Sequence, residues 1–325
     1  MPSPQSLRFA SPPSLAALYA RVVLTRRLAL LPDGADVPRL EAVLTRFRPD
    51  RARVEAYRAV CGGAPSDTLP IAYPHVLATP VQLAMLLTEA FPVRLMGLVH
   101  LRNHIEQVRP LHIDEPGRIR TWLEGHRDTD RGQEFDVHTQ VEVDGKPVWS
   151  EICVFMARRL ERDTSRRFSP RISAGEGIAA PDAERVQPAG RDHVRKCGFE
   201  ADSGIGWRYA RVAGDYNPIH LADLGARLFG FNQAIAHGMW SMARSLSSLE
   251  PGTLDSACRV DVAFKRPVTI PAPLTLETWY TPQGAGFALK GTGKGKTHLA
   301  GSVTPLVARA TAPTDNATSP NVSAS

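Results

Sequence analysis

The sequence predicts an α+β fold made twice in tandem, each copy a helix with an antiparallel sheet wrapped around it. Three observations predict it. First, a signature recurs. Arg109, Pro110, Ile113, Pro116, Thr121 and Trp122 return as Arg266, Pro267, Ile270, Pro273, Thr278 and Trp279 at a single offset of 157 residues. Chance pairing over that window would give about one match, and the offset is domain-sized, so two copies of one fold are implied. Second, each copy opens with a helical stretch and continues in short strand-like runs, an α+β order. Third, those runs alternate: Phe135, Val137, Val141 and Val143 fall on one face of 134–143, the period of a half-buried strand.

In chain order, residues 1–13 are rich in Pro and Ser and are expected to be loose. Residues 14–31 read as an amphipathic helix. Arg8, Arg21, Arg26 and Arg27 precede the first acidic residue, Asp33. That pattern fits a structural lead-in helix or an organelle transit peptide, and the lack of a long apolar stretch excludes a secretory signal. We read 1–50 as an N-terminal extension and 51–160 as the first domain, with a helix at 79–90 and strands at 97–108, 117–127, 134–143 and 148–158. Asp144-Gly145 supplies a hairpin turn between the last two. Residues 161–195 are rich in Arg, Ser, Pro and Gly and read as a linker. The second domain, 196–310, repeats the plan with a helix at 239–249 and strands at 258–265, 274–280, 286–290 and 298–306. A polar tail, 311–325, follows.

Composition narrows function. The 325 residues are 43% hydrophobic and 22% charged, enough for a sizeable core. No apolar run approaches the roughly 18 residues that span a bilayer. The net charge is +6 and the pI about 9.3, carried mostly by Arg. Base composition explains that excess, or an anionic partner does, such as coenzyme A or an acidic carrier protein. Nucleic acid fits worse, since no basic run is interleaved with aromatics and no zinc-finger spacing occurs. Cys61, Cys153, Cys197 and Cys258 lie far apart with no C-x-x-C pair. They argue against a zinc site or a disulfide framework and for reduced, buried thiols in a cytoplasmic protein.

The chemistry concentrates in Gly214-Asp215-Tyr216-Asn217-Pro218-Ile219-His220, followed by Ala236-His237-Gly238-Met239. Asn-Pro initiates a turn and keeps its first residue out of helical geometry. Such a turn can bring the Asp215 carboxylate and the His220 imidazole to one side. An imidazole moves protons at neutral pH, and a neighbouring carboxylate can share one water with it. Gly238 opens the second-domain helix, where free N–H groups and positive potential gather, and a glycine there lets a carbonyl oxygen come close. Acid, base and oxyanion donor together suit enolate chemistry on a thioester. His237 could touch substrate or be a buried ring bonded to backbone. Arg109 and Arg266, part of the repeated signature, read as structural. Gly291 to Thr297 resembles a phosphate loop only superficially: Lys290 stands where that spacing needs Gly, and strands flank it.

The string Gly-Asp-x-Asn-Pro-x-His, with His-Gly-Met after it, resembles the MaoC-like, (R)-specific enoyl-thioester hydratase/dehydratase family (hydratase 2). The resemblance covers the second half firmly. The first half resembles the degenerate companion domain of double-hotdog members. It implies a double hotdog fold and a hydro-lyase of fatty-acid or related acyl metabolism. It assigns Asp215 and His220 to the reacting water, Asn217 to the loop, Gly238 N–H to the thioester oxygen, and His237 and Met239 to the substrate surface. It implies no metal and no redox cofactor. Its substrate would be a 2-enoyl or (R)-3-hydroxyacyl thioester of coenzyme A or acyl carrier protein. Ala213 departs from the Ser of many members, and the first half lacks the motif altogether, so one site per chain is expected. Tyr73-Pro74-His75 precedes the first helix much as Ala236-His237-Gly238 precedes the second. Two other readings stand beside this one: a hotdog acyl-thioesterase, and a non-catalytic acyl-thioester-binding protein. A homodimer is possible though the paired domains remove the need for it.

Overall fold

A computed structural model describes residues 5–159, 186, 193–292 and 295–306. The first half contributes strands β1 (Gln5–Phe9), β2 (Leu40–Phe47), β3 (Leu98–Gln107), β4 (Gly117–Leu123), β5 (Arg127–Thr129), β6 (Gly132–Val143) and β7 (Lys146–Arg158). The second contributes β8 (Arg195–Ala201), β9 (Cys258–Phe264), β10 (Ala272–Thr281), β11 (Gly284–Gly291) and β12 (Thr297–Pro305). The helices are α1 (Leu15–Leu24), α2 (Arg51–Cys61), α3 (Tyr73–Leu86), α4 (Ile205–Ala213), α5 (Asp223–Arg227) and α6 (Gly238–Leu246).

The strands form one sheet in the order β1-β2-β4-β6-β7-β3-β9-β12-β11-β10-β8, with β5 paired to β6. Its two halves run the same five-strand path in reverse: β2-β4-β6-β7-β3, then β9-β12-β11-β10-β8. They join where β3 pairs antiparallel with β9, from Arg102 opposite Ala263 to Gln107 opposite Cys258. In that register His104 faces Asp261. These positions are separated by the same offset as the sequence repeat, so they are equivalent residues and a pseudo-twofold axis passes between them. Their side chains meet there, His104 Nδ1 lying 2.6 Å from Asp261 Oδ1, and Arg259 pairs with Glu106 alongside.

Helix α3 packs on β2, β4 and β6, and α6 packs on β11. Helix α2 is fixed by local chemistry. Asp50 accepts the Arg53 N–H at 3.1 Å, and Gly62 closes the far end in the left-handed region at φ 69°. Its buried face, Val54, Tyr57, Arg58 and Cys61, keeps helical spacing. One apolar core runs through both halves and includes Trp149, Tyr57, Tyr209, Phe135 and Phe287. Among the described residues no helix is long and apolar enough to cross a membrane.

The antiparallel strands stand where the alternation put them, within a few residues. Other expectations change. Residues 5–9 form β1, parallel to β2, because the edge of β2 offers them a ladder. A boundary at residue 50 would cut β2, which pairs with β4, away from its own sheet. The lead-in helix stops at Leu24, not 31, and α3 begins at Tyr73 and runs through Pro80. Cys197 is exposed on β8 while the other three thiols are buried. Arg109 closes a turn with Glu115 at 3.0 and 2.6 Å. Most of the expected linker and all of the expected tail lie outside the described residues.

Candidate active site

Helix α4 ends at Gly214, which adopts φ 76° and donates its N–H to Ala210 O. That conformation suits glycine because a Cβ there meets the backbone. The chain then turns through Asp215, Tyr216 and Asn217 into a short 3-10 turn, Pro218–His220. Asn217 Oδ1 accepts the Ile219 N–H at 3.4 Å, and Pro218 presets its own φ, so the turn is held from both sides.

This loop brings Asp215 and His220 together. The ligating atoms of Asp215, His220 and His237 lie within 4.8 Å of one another. Asp215 Oδ1 accepts two hydrogen bonds, from the Asn217 N–H and from the Tyr19 hydroxyl, each 3.1 Å long. Its other oxygen, Oδ2, sits 3.8 Å from His237 Nε2. The Asp215 side chain is 42% exposed. His220 is buried, and its Nδ1 lies 2.7 Å from Ile235 O. Only a protonated nitrogen makes that contact, so in the neutral ring Nε2 is the basic nitrogen.

His237 lies behind this pair. Its ring stacks on His220 at 3.8 Å, touches Tyr209 at 4.9 Å and places Nε2 3.0 Å from Asp215 O. It is 2% exposed, and Met239 is 7% exposed. The two residues expected at the substrate surface are therefore both buried. Ring stacking and the backbone bond hold His237 inward, and Met239 Sδ turns to Asn103 Nδ2 at 3.8 Å. Gly238 is the first residue of α6, so its N–H points out of the helix end. A Cβ at Gly238 would lie 3.2 Å from the Phe264 ring, so a side chain would crowd the spot a ligand oxygen could use.

Electrostatics favour the unprotonated forms of Asp215 and His220 at neutral pH. Burial pushes the Asp215 carboxyl up, but His237, His220, the Asn217 N–H and the Tyr19 hydroxyl outweigh it and hold it below its usual value. Burial pulls His220 below 6.5 against the opposing Asp215 charge. His237 is driven to about 3 by burial and by the neighbouring His220 ring.

A second polar cluster comes from the first half. His75 Nδ1 lies 2.8 Å from Glu151 Oε2, and Asn103 Nδ2 donates to Glu151 Oε1 at 2.7 Å. Burial works against the charge on His75, yet Glu151, and Asp215 from the other half, raise its pKa. His100 stacks on Phe155 and Phe264, each at 4.7 Å, and burial drops it to about 3. Both clusters carry metal-ligating side chains: Asp215, His220 and His237, and His75, Glu151 and Cys153. Their shortest contacts, imidazole to carbonyl and imidazole to carboxylate, are those a shared proton explains.

Tyr19, His75, Glu151, Asn103 and His100 were not assigned to the site from sequence. One signal pointed to Glu151. It occupies an inward position of β7 between Trp149 and Cys153, where a charge is out of place unless it is paired. No local pattern pointed to Tyr19.

The chain resembles known proteins of one family. The MaoC like domain profile matches residues 199–301. The chain is 31% identical over 283 residues to 3-hydroxyacyl-thioester dehydratase X of Mycobacterium tuberculosis, covering 86% of this chain and 94% of that protein. The crystal structure of HtdX from the same organism superposes with a TM-score of 0.68 at 29% identity, covering 82% of this chain and 100% of that one. A MaoC-like dehydratase from Phytophthora capsici shares the fold, with a TM-score of 0.65 at 18% identity over 82% of this chain and 95% of its own.

Proposed function

The chain belongs to the MaoC-like dehydratase family, and on that premise we propose that it reversibly hydrates trans-2-enoyl thioesters and dehydrates (R)-3-hydroxyacyl thioesters. The observation that carries the proposal is the close approach of Asp215 and His220, both held in their basic forms, in a segment that leads on to the helix N-terminus at Gly238.

A water between Asp215 Oδ2 and His220 Nε2 would find two acceptors for its two protons. In hydration its oxygen bonds C3 and one proton passes to the pair. Electron density moves from the double bond to the thioester oxygen, where the Gly238 N–H offsets the developing charge. The pair then returns a proton to C2, and dehydration runs the same steps backwards. Asn217 holds the carboxylate through its N–H and caps the turn through its side chain. We read 196–310 as the catalytic half and 51–160 as its companion. The acyl carrier is coenzyme A or acyl carrier protein.

The test is turnover of crotonyl-CoA and longer trans-2-enoyl-CoAs and their acyl carrier protein equivalents, followed by enoyl absorbance and by free thiol together. Loss of absorbance without thiol release is expected. Thiol release instead points to a thioesterase, and neither signal on any substrate points to a binding protein. Asp215→Asn and His220→Ala should each lower kcat about 10²–10⁴-fold while the fold stays intact by circular dichroism. Near-normal turnover in both variants would overturn the mechanism.

A further inference from the structure

Tyr19 lies on α1, in the segment that precedes both domains, and it reaches the catalytic loop of the opposite half. Its hydroxyl oxygen accepts the Tyr216 N–H at 2.9 Å. With that lone pair engaged, its own proton turns to Asp215 Oδ1, 3.1 Å away. The two rings pack edge to face at 6.0 Å. Together with the Asn217 N–H, Tyr19 saturates Oδ1 and leaves Oδ2 as the oxygen open to a reacting water.

The helix is seated to hold that contact. Leu18 is buried against Ala84 and Leu87 of the first half. Arg21 Nη2 donates to Leu87 O at 3.3 Å. Leu15 lies over Gly214, where a Cβ would come within 2.5 Å of Leu15 Cδ1. The residue that ends α4 and begins the catalytic loop thus has no side chain at the point where α1 crosses it.

We infer that Tyr19 is a positioning residue for Asp215, and that α1 is therefore part of the active site. This rests on the hydratase reading above. Tyr19 acts as a donor throughout the working range, since burial and the Asp215 charge raise its pKa. The other titratable groups around Asp215 are His220 in the 3-10 turn, His237 ahead of α6, Tyr209 on α4, and His75 and His100 from the first half. None of them bonds Oδ1.

Tyr19→Phe keeps the ring and removes the hydroxyl. It should lower kcat about 10–100-fold, the equivalent of one lost hydrogen bond to a charged group, with KM little changed. The acid limb of the kcat/KM profile should move to higher pH, because Asp215 loses a donor that favours its charged form. In the Asp215→Asn background the same change should add nothing, since Tyr19 acts through that carboxylate. Val23→Ser, on the exposed side of α1, should leave turnover as it is. An unchanged kcat and acid limb in Tyr19→Phe, with active wild type, would overturn the inference and leave the hydratase reading standing. Carbon-13 titration of the Asp215 carboxylate reads the same contact without turnover. Its midpoint should rise in Tyr19→Phe, and an unmoved midpoint sinks the inference even if no enoyl thioester is turned over.

Discussion

The two oxygens of Asp215 do different work: Oδ1 is tied to Tyr19 and Asn217, and Oδ2 faces the imidazoles. Both Asp215 and His220 are held below their ordinary pKa values. The proposed mechanism uses both in the basic form, so kcat/KM should stay level from pH 8 to 6.5 and fall only below it. An acid limb centred above 6.5 would contradict this. The buried pair His75 and Glu151 predicts a stability effect. His75 is raised, so its contribution is full below its unfolded pKa and is lost as pH rises through its folded value. Glu151 is depressed, so its contribution is present above its unfolded value and is lost as pH falls through its folded one. Glu151→Gln strands an imidazolium and should cost about 3–5 kcal/mol, read as a lower thermal midpoint near pH 6. The loss should shrink as pH climbs past the His75 midpoint, and a pH-independent loss would refute the pairing. Asp215, Asn217 and His220 could be singled out because they fall within one short run of sequence. Tyr19 meets its partner 196 positions away, and no local pattern encodes such a distance.

At the scale of elements, strands with a strict period of two were the readable ones. β6 alternates along most of its length, and β4 does likewise. β2 does not: three consecutive buried residues, Ala42, Val43 and Leu44, blur its period. β8 is exposed except near Ala201 and exists because β10 offers it an edge. α3 starts six residues before the expected helix and carries Pro80 in its interior, where the ring removes one helical N–H donor. The junction of α4 with the catalytic loop yields an element-scale prediction. Gly214→Ala puts a Cβ into the left-handed region, worth about 1–2 kcal/mol, and drives it against Leu15. The thermal midpoint should fall, and turnover should fall further than stability alone explains, since α1 is displaced with Tyr19. A variant as stable and as active as wild type would show that α1 does not bear on the loop.

For the whole molecule, the repeat in the sequence and the axis in the sheet are one fact seen twice, since the offset that aligns Trp122 with Trp279 also matches His104 to Asp261. Duplication was therefore legible. The seam was not, because the residues that meet across it, His104 and Asp261, stand 157 positions apart. The halves are also unequal partners: the loop belongs to the second, while Tyr19 and His75 come from the first. Residues 1–160 and 186–325, produced separately, should each be inactive and should recover turnover as a one-to-one complex by gel filtration. Activity in the second piece alone would remove the first half from the site. The His104–Asp261 contact carries one more consequence. Two identical subunits crossing at such a point would set the residue on the axis against its own duplicate, acid on acid or imidazole on imidazole. A complementary couple can sit on the axis only if the two copies differ, as the two halves of this chain do. That contact therefore discriminates between partners, rewarding union of unlike halves and penalising any assembly of like with like.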